Sequence, residues 1–142
     1  MEGYIRKLAL REGIDPSDWV QILSNVDLFH APHNVAPYDL KPYQQLNGGL
    51  IYVLEIRHDV HNEVIYLATK TKPPTVSNYN KISQVLVYLQ SAIKDGPTFY
   101  TEEGPTLYGS TDPSYGVHED SRSQSGYHIS IVRNSAPIYC RT

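Results

Sequence analysis

The spacing of apolar residues changes once along this chain, at Gly96-Pro97. Before that point apolar residues recur every three or four positions, and after it they alternate. The first pattern belongs to helices with one buried face and the second to half-buried strands. A chain that follows one rule over residues 1–95 and the other over 96–142 is constrained to the α+β class. The expectation is an N-terminal helical bundle followed by an antiparallel β half.

The helical part divides at its punctuation. Tyr4, Ile5, Leu8 and Ala9 predict a helix over 4–12, with Gly13 as its stop. Residues 14–41 contain Pro16, Pro32 and Pro37 and read as a long extended connection anchored by Trp19, Ile22, Leu28 and Phe29. A second helix is expected over 42–56, with Leu46, Leu50, Val53 and Leu54 on one stripe and Pro42 in its first turn. Gly48 and Gly49 fall inside it, and each weakens a helix by about 1 kcal/mol relative to Ala. Such a pair implies a second backbone passing close by, or a ligand contact.

Asp59 reads as the N-cap of a third helix carrying Val60, Val64, Leu67 and Ala68 and ending near Lys70. Pro73-Pro74 breaks the chain. Thr75 or Ser77 caps a fourth helix with Ile82, Val85, Leu86, Leu89 and Ile93 on its buried face. In the β part, strands are expected over 98–101, 106–111, 127–132 and 136–141, separated by turns at 102–105 and 133–135. Asp112 ends the second of these strands, and a polar, glycine-bearing stretch leads to Gly126-Tyr127.

Charge and cysteine content narrow the function. The net charge is −3 and the basic residues are scattered, which argues against an autonomous nucleic-acid binder, since phosphate contacts need clustered cations. Twelve tyrosines against two phenylalanines suit half-buried sheet faces and interfaces. Cys140 is the one cysteine, so neither an internal disulfide nor a cysteine-based zinc site can form. No apolar run approaches a membrane span, and Met1 leads into a charged amphipathic segment with no secretory pattern. The expectation is an intracellular chain, cytoplasmic or nuclear, with no membrane partner.

Several stretches match one family in order and spacing. They are Tyr43 to Lys70, with Leu46, Gly48, Leu50-Ile51-Tyr52, Ile56-Arg57-His58-Asp59 and Glu63-Val64; Pro74-Thr75 with Gln84 to Leu89; Thr111-Asp112-Pro113-Ser114-Tyr115-Gly116; and Asp120 to Tyr127. Together they resemble Ty1/copia-type retrotransposon polyproteins from the end of the reverse transcriptase into the start of the ribonuclease H domain. The resemblance covers nearly the whole chain. It implies a thumb/connection-like segment over 1–95 and the first, truncated strands of an RNase H-like sheet over 96–142. It implies a parent with RNA-directed DNA polymerase and ribonuclease H activities, Mg²⁺ as cofactor, and an RNA–DNA hybrid or template-primer duplex as partner.

The same resemblance assigns Asp112 as the first metal ligand of the ribonuclease site. Ribonuclease H chemistry uses two ions about 4 Å apart, held by several carboxylates. Asp112 is the single family ligand present, so it reads as a vestigial catalytic residue in an incomplete Mg²⁺ site. Glu119 and Asp120 match no family ligand. On the residues alone Asp112 is also an Asp-Pro turn residue, and Pro113 stands where the family more often has alanine. The chain is therefore expected to be an enzyme fragment, inactive alone, that binds no ion itself. The alternative is an element-derived, non-catalytic binding or structural module. An unfinished sheet would leave an open edge near 136–141 and favour self-association.

Other constellations lack partners. His58 and His61 near Glu63 read as a solvated helix start, not a zinc site. His30 and His33 read as surface residues. Ser110, Ser114 and Ser125 near His118 lack a nucleophile elbow. No phosphate-binding loop or dinucleotide fingerprint occurs.

Overall fold

A computed structural model describes residues 1–21, 23, 35–100, 106–115, 123–133 and 135–141. The chain divides into two compact units, Met1–Asp95 and Gly96–Thr142. The first contains α1 (Glu2–Arg11), α2 (Leu40–Val53), a short 3-10 turn (His58–Val60), α3 (His61–Thr69) and α4 (Val76–Ser91). The second contains three antiparallel strands, β1 (Tyr108–Ser114), β2 (Gln124–Ser130) and β3 (Tyr139–Arg141). The chain is thus α+β, with four helices and a three-stranded antiparallel sheet among the described residues. None of the helices is long and apolar enough to cross a membrane.

The helical stripes meet in one core. Ile5 and Leu8 come from α1, Leu46, Leu50 and Val53 from α2, Val64 and Leu67 from α3, and Ile82, Val85, Leu86 and Leu89 from α4, all buried. Each such side chain contributes about 1.5–3 kcal/mol on leaving water, which is what holds helices this short together. Tyr43 is fully buried as well, and its hydroxyl donates to the Leu67 carbonyl at 2.7 Å. Burial without a charged partner pushes its phenol pKa far up, with the neighbouring Tyr66 adding to the effect.

Helix ends follow their capping chemistry. The Asp39 carboxylate accepts from the Lys41 N–H and starts α2, with Pro42 in the first turn. The Thr75 hydroxyl accepts from the Asn78 N–H and starts α4. The chain leaves α1 through Gly13 at φ +70°, a left-handed conformation that favours glycine. Segments 36–38 and 74–76 pair through an antiparallel bridge between Pro37 and Thr75. There the Tyr38 N–H donates to the Pro74 carbonyl and the Val76 N–H to that of Ala36. Tyr38 stacks on Tyr79 at 4.1 Å, and the Tyr79 hydroxyl donates to Glu12 at 3.1 Å. Tyr38 and Tyr79 thus tie the entries of α2 and α4 to the end of α1.

Several expectations need correction. Asp59 does not cap α3: it lies in the 3-10 turn, and the N-cap of α3 is Val60, which makes no side-chain cap bond. The glycine pair is not a backbone crossing. A Cβ on Gly49 would meet the Leu8 methyls at 3.1 and 3.3 Å and the Tyr4 hydroxyl at 3.3 Å, whereas one on Gly48 would meet nothing within 4 Å. Thr98 to Tyr100 forms no strand, because its bonds run to a turn and not to a neighbouring strand. Thr98 accepts from the Ala136 N–H, and the Tyr100 N–H donates to the Ser135 hydroxyl. Last, β1 runs on to Ser114, so Asp112 sits inside a strand and is not at its end. Pro113 is tolerated there because β1 is an edge strand. Of the expected anchors, Trp19 is exposed and so does not anchor the connection, while Ile22, Leu28 and Phe29, and the turn at 102–105, lie outside the described residues.

Within the sheet, opposed residues share a face and neighbours alternate. Asp112 faces Gly126, Thr111 faces Tyr127, and Tyr127 faces Arg141. One face therefore carries Tyr127, Ile129 and Tyr139, and the other carries Asp112, His128 and Cys140. Tyr127 and Tyr139 are exposed, with ring centroids 5.8 Å apart.

Candidate functional site

Asp112 is exposed on β1, opposite a residue with no side chain, Gly126. Ser110, His128 and Cys140 share its face, and these three form a row across the sheet, since Ser110 pairs with His128 and His128 with Cys140. Diagonal neighbours in a sheet lie about 7–8 Å apart, which places His128 at the margin of reach of Asp112. Among the described residues, no three His, Cys, Asp or Glu side chains stand where they could share an ion.

A pair of Mg²⁺ ions requires several converging carboxylate oxygens. The described residues supply one at this place, so the set does not fit, and no hydrolytic step follows from it. Glu119, Asp120 and His118 lie outside the described residues, as do His30 and His33. Burial pushes the Cys140 thiol up, away from the thiolate that would react. Ser125, paired with Pro113, belongs to the opposite face from Ser110.

The residues that the chain does bring together lie in the first unit. The turn after α2 places Arg57 and Asp59 side by side. Arg57 Nε donates to Asp59 Oδ1 at 2.8 Å, and its Nη2 to Oδ2 at 2.6 Å. The third nitrogen, Nη1, donates to the Ala92 carbonyl at 2.7 Å, just past the end of α4. The Tyr88 hydroxyl donates to Asp59 Oδ2 at 3.0 Å, and the guanidinium lies 5.8 Å from the centre of the Tyr88 ring.

The Arg57 side chain is 4% exposed while that of Asp59 is 39% exposed. The cation is therefore buried, and the anion faces water on one side. Burial alone would raise the Asp59 carboxyl, but Arg57 and the Tyr88 hydroxyl outweigh it and hold it below its ordinary value. A planar guanidinium satisfied on all three nitrogens is a fixed strut: it places its charge at the Ala92 carbonyl just past the end of α4 and secures the turn between α2 and α3.

Three more titratable groups surround that turn. His61, at the start of α3, is buried and not solvated as expected, and burial together with the neighbouring His58 lowers its pKa. His58 Nδ1 is buried with no hydrogen-bond partner. Burial raises the Glu63 carboxyl, and the Asp59 charge raises it further. A helix start disfavours cations, which acts on His61 in the same sense as its burial.

Asp112 was legible as a candidate by its motif, but the Arg57–Asp59–Tyr88 node was not legible as a unit. Its elements were visible separately, in Ile56-Arg57-His58-Asp59 and in Gln84 to Leu89. Nothing in their spacing says that the two stretches meet. No protein-family model, no curated protein and no solved structure matches the chain.

Proposed function

We propose that this chain is a piece of a copia-type retrotransposon polyprotein. In this reading, residues 1–95 are the thumb/connection-like segment behind the polymerase palm, and residues 96–142 are the opening strands of an RNase H-like sheet. The parent would synthesise DNA on RNA and cleave the RNA strand of the hybrid, with Mg²⁺ as cofactor. The chain by itself would be inactive.

The observation that carries this reading is the register of Asp112 on Gly126. The described parts of the two halves of the ribonuclease-like motif, Thr111 to Ser114 and Gln124 to Tyr127, lie on adjacent antiparallel strands, with the acidic residue on the first. The other motif stretches support it in a weaker way. Arg57 and Asp59 form a bidentate pair, and Gln84 to Leu89 lie on α4.

The test has two arms. The isolated chain should show no Mg²⁺-dependent cleavage of an RNA–DNA hybrid above background; cleavage abolished by Asp112→Asn would overturn the inactive-alone part. A chimera joins the chain at Arg141 to the remaining strands and helices of a copia-type ribonuclease H. It should cleave the hybrid and lose that activity on Asp112→Asn. A chimera that is inactive, or that cleaves regardless of Asp112, would remove the basis of the assignment.

A further inference from the structure

The face of the sheet opposite Asp112 is apolar and open. Tyr127 on β2 and Tyr139 on β3 are 39% and 47% exposed there. Ile129 neighbours both in the register, two residues along β2 from Tyr127 and directly across from Tyr139. From β1, Gly109 faces Ile129, and a Cβ built on it would meet nothing within 4 Å. The row Gly109–Ile129–Tyr139 is thus walled by a ring at one end and unwalled at the other.

The two rings stand on adjacent strands, with centroids 5.8 Å apart and planes inclined at 38°. They form a shallow aromatic trough beside Ile129. Its polar margin is Thr111 and Arg141, which flank Tyr127 across the strands. Arg141 is exposed and joins no ion pair among the described residues. It is also the one charged strand residue on this face. The surface is therefore aromatic, supplied with hydrogen-bond donors and weakly cationic.

We propose that this face docks an extended proline-rich segment of a partner protein, with an acidic residue beside the prolines. Proline-rich segments are recognised on shallow surfaces lined by aromatic side chains, and they arrive already extended, so little ordering is needed. The ring spacing is close to the roughly 6 Å that two residues of a polyproline II helix span. Such a helix has no internal hydrogen bonds, and the two tyrosine hydroxyls and the Arg141 guanidinium donate to its free carbonyls. Gly109 leaves room for a pyrrolidine ring over Ile129. Arg141 selects a carboxylate next to the prolines by charge. An amphipathic helix would need a continuous apolar groove, which Gly109, Thr111 and Arg141 interrupt. A single-stranded nucleic acid would stack on the same rings but needs a positively charged groove along its backbone, where this face has one cation. The proposal goes beyond the polyprotein reading and does not rest on it.

The experiment is fluorescence anisotropy of the full chain with a labelled peptide of prolines ending in two glutamates. The comparators are a peptide of the same length with glycine and serine in place of the prolines, the proline peptide ending in two lysines, and single-stranded oligothymidylate. The acidic proline peptide should bind at least tenfold tighter than the glycine–serine peptide and several-fold tighter than its lysine counterpart. Tyr127→Ala and Tyr139→Ala should each weaken it at least fivefold, and Arg141→Gln should remove the preference for glutamate over lysine. Gly109→Val should weaken it at least fivefold without lowering the melting temperature, since a β-branched residue suits a strand better than glycine; this separates lost binding from lost folding. Tyr52→Ala, in the helical unit, should leave it unchanged.

Equal binding of the glycine–serine peptide, tighter binding of the oligothymidylate than of the proline peptide, or unchanged affinity in the Tyr127, Tyr139 and Gly109 variants would each overturn the proposal. None of these results bears on the polyprotein reading, which stands or falls with Asp112 in the chimera.

Discussion

Arg57 and Asp59 are two residues apart and meet as a fork, with Nε 2.8 Å from Oδ1 and Nη2 2.6 Å from Oδ2. The pair is unequal. Arg57 is buried and depends on the pairing, while Asp59 keeps a wet side. Asp59→Ala should therefore destabilise the helical unit more than a surface substitution would. Stripping a buried cation of its partner costs about 3–5 kcal/mol, and the exposure of Asp59 reduces this to roughly 1–3 kcal/mol. Arg57→Met, which removes the charge and keeps the volume, should cost less than Asp59→Ala. Urea unfolding of the two variants decides the order.

Stability should fall on mild acidification, and His61 should account for part of the fall. Its folded pKa lies below its ordinary value of 6.5, so folding favours the neutral ring. The contribution is complete above 6.5 and is lost as pH drops through the lowered folded value. Asp59 adds a second loss at lower pH, below its ordinary 3.8, because its folded carboxyl is also depressed. Glu63 has the opposite sign: its raised pKa gives stability below its ordinary 4.5 that is lost as pH rises through the folded value. Melting temperatures recorded from pH 7 to 4 should show a step that His61→Gln flattens.

Tyr43→Phe should cost about 1 kcal/mol and no more. The lost bond is short and buried. The Leu67 carbonyl left behind still accepts from the Lys70 N–H at 3.0 Å, so no orphaned acceptor is created. A loss well above that figure in chemical denaturation would show that the hydroxyl has another role.

Thr75→Ala should cost about 1 kcal/mol by removing the cap of α4. Thr75→Ser keeps the oxygen and should restore most of that. If alanine and serine melt alike, the cap contributes nothing.

The sheet should drive association. It has two edges, β1 and β3, with no further strand paired to either among the described residues, and exposed backbone groups recruit other strands. Light scattering should show a mass that rises with protein concentration. Tyr139→Lys, which places a charge on the short edge strand, should return the chain toward a monomer. A monodisperse monomer at high concentration would refute this.

The buried faces of the helices were legible in the sequence because periodicity is local. Leu46, Leu50, Val53, Ile82, Val85, Leu86 and Leu89 were named from spacing and are buried. Thr75 as a cap was legible for the same reason, since its bond reaches three residues ahead. Asp59 misled because an aspartate before a helix ordinarily binds backbone N–H groups, while here a guanidinium two residues away competes and wins. The strand at 98–101 misled because alternation reports a residue's taste for a pleated surface and not the presence of a neighbour to pair with.

The sequence alone determined the α+β class, the change of rule at Gly96-Pro97 and, among the described residues, the positions of the four α-helices to within a few residues. Each of these depends on contacts within one or two turns. Tertiary structure alone decided that Arg57 reaches Ala92, thirty-five residues away, that Gly49 is filled by Leu8 while Gly48 stays open, and that Asp112 stands opposite a glycine. Those are pairings between distant segments, and their energies depend on which surfaces meet, which no local spacing encodes.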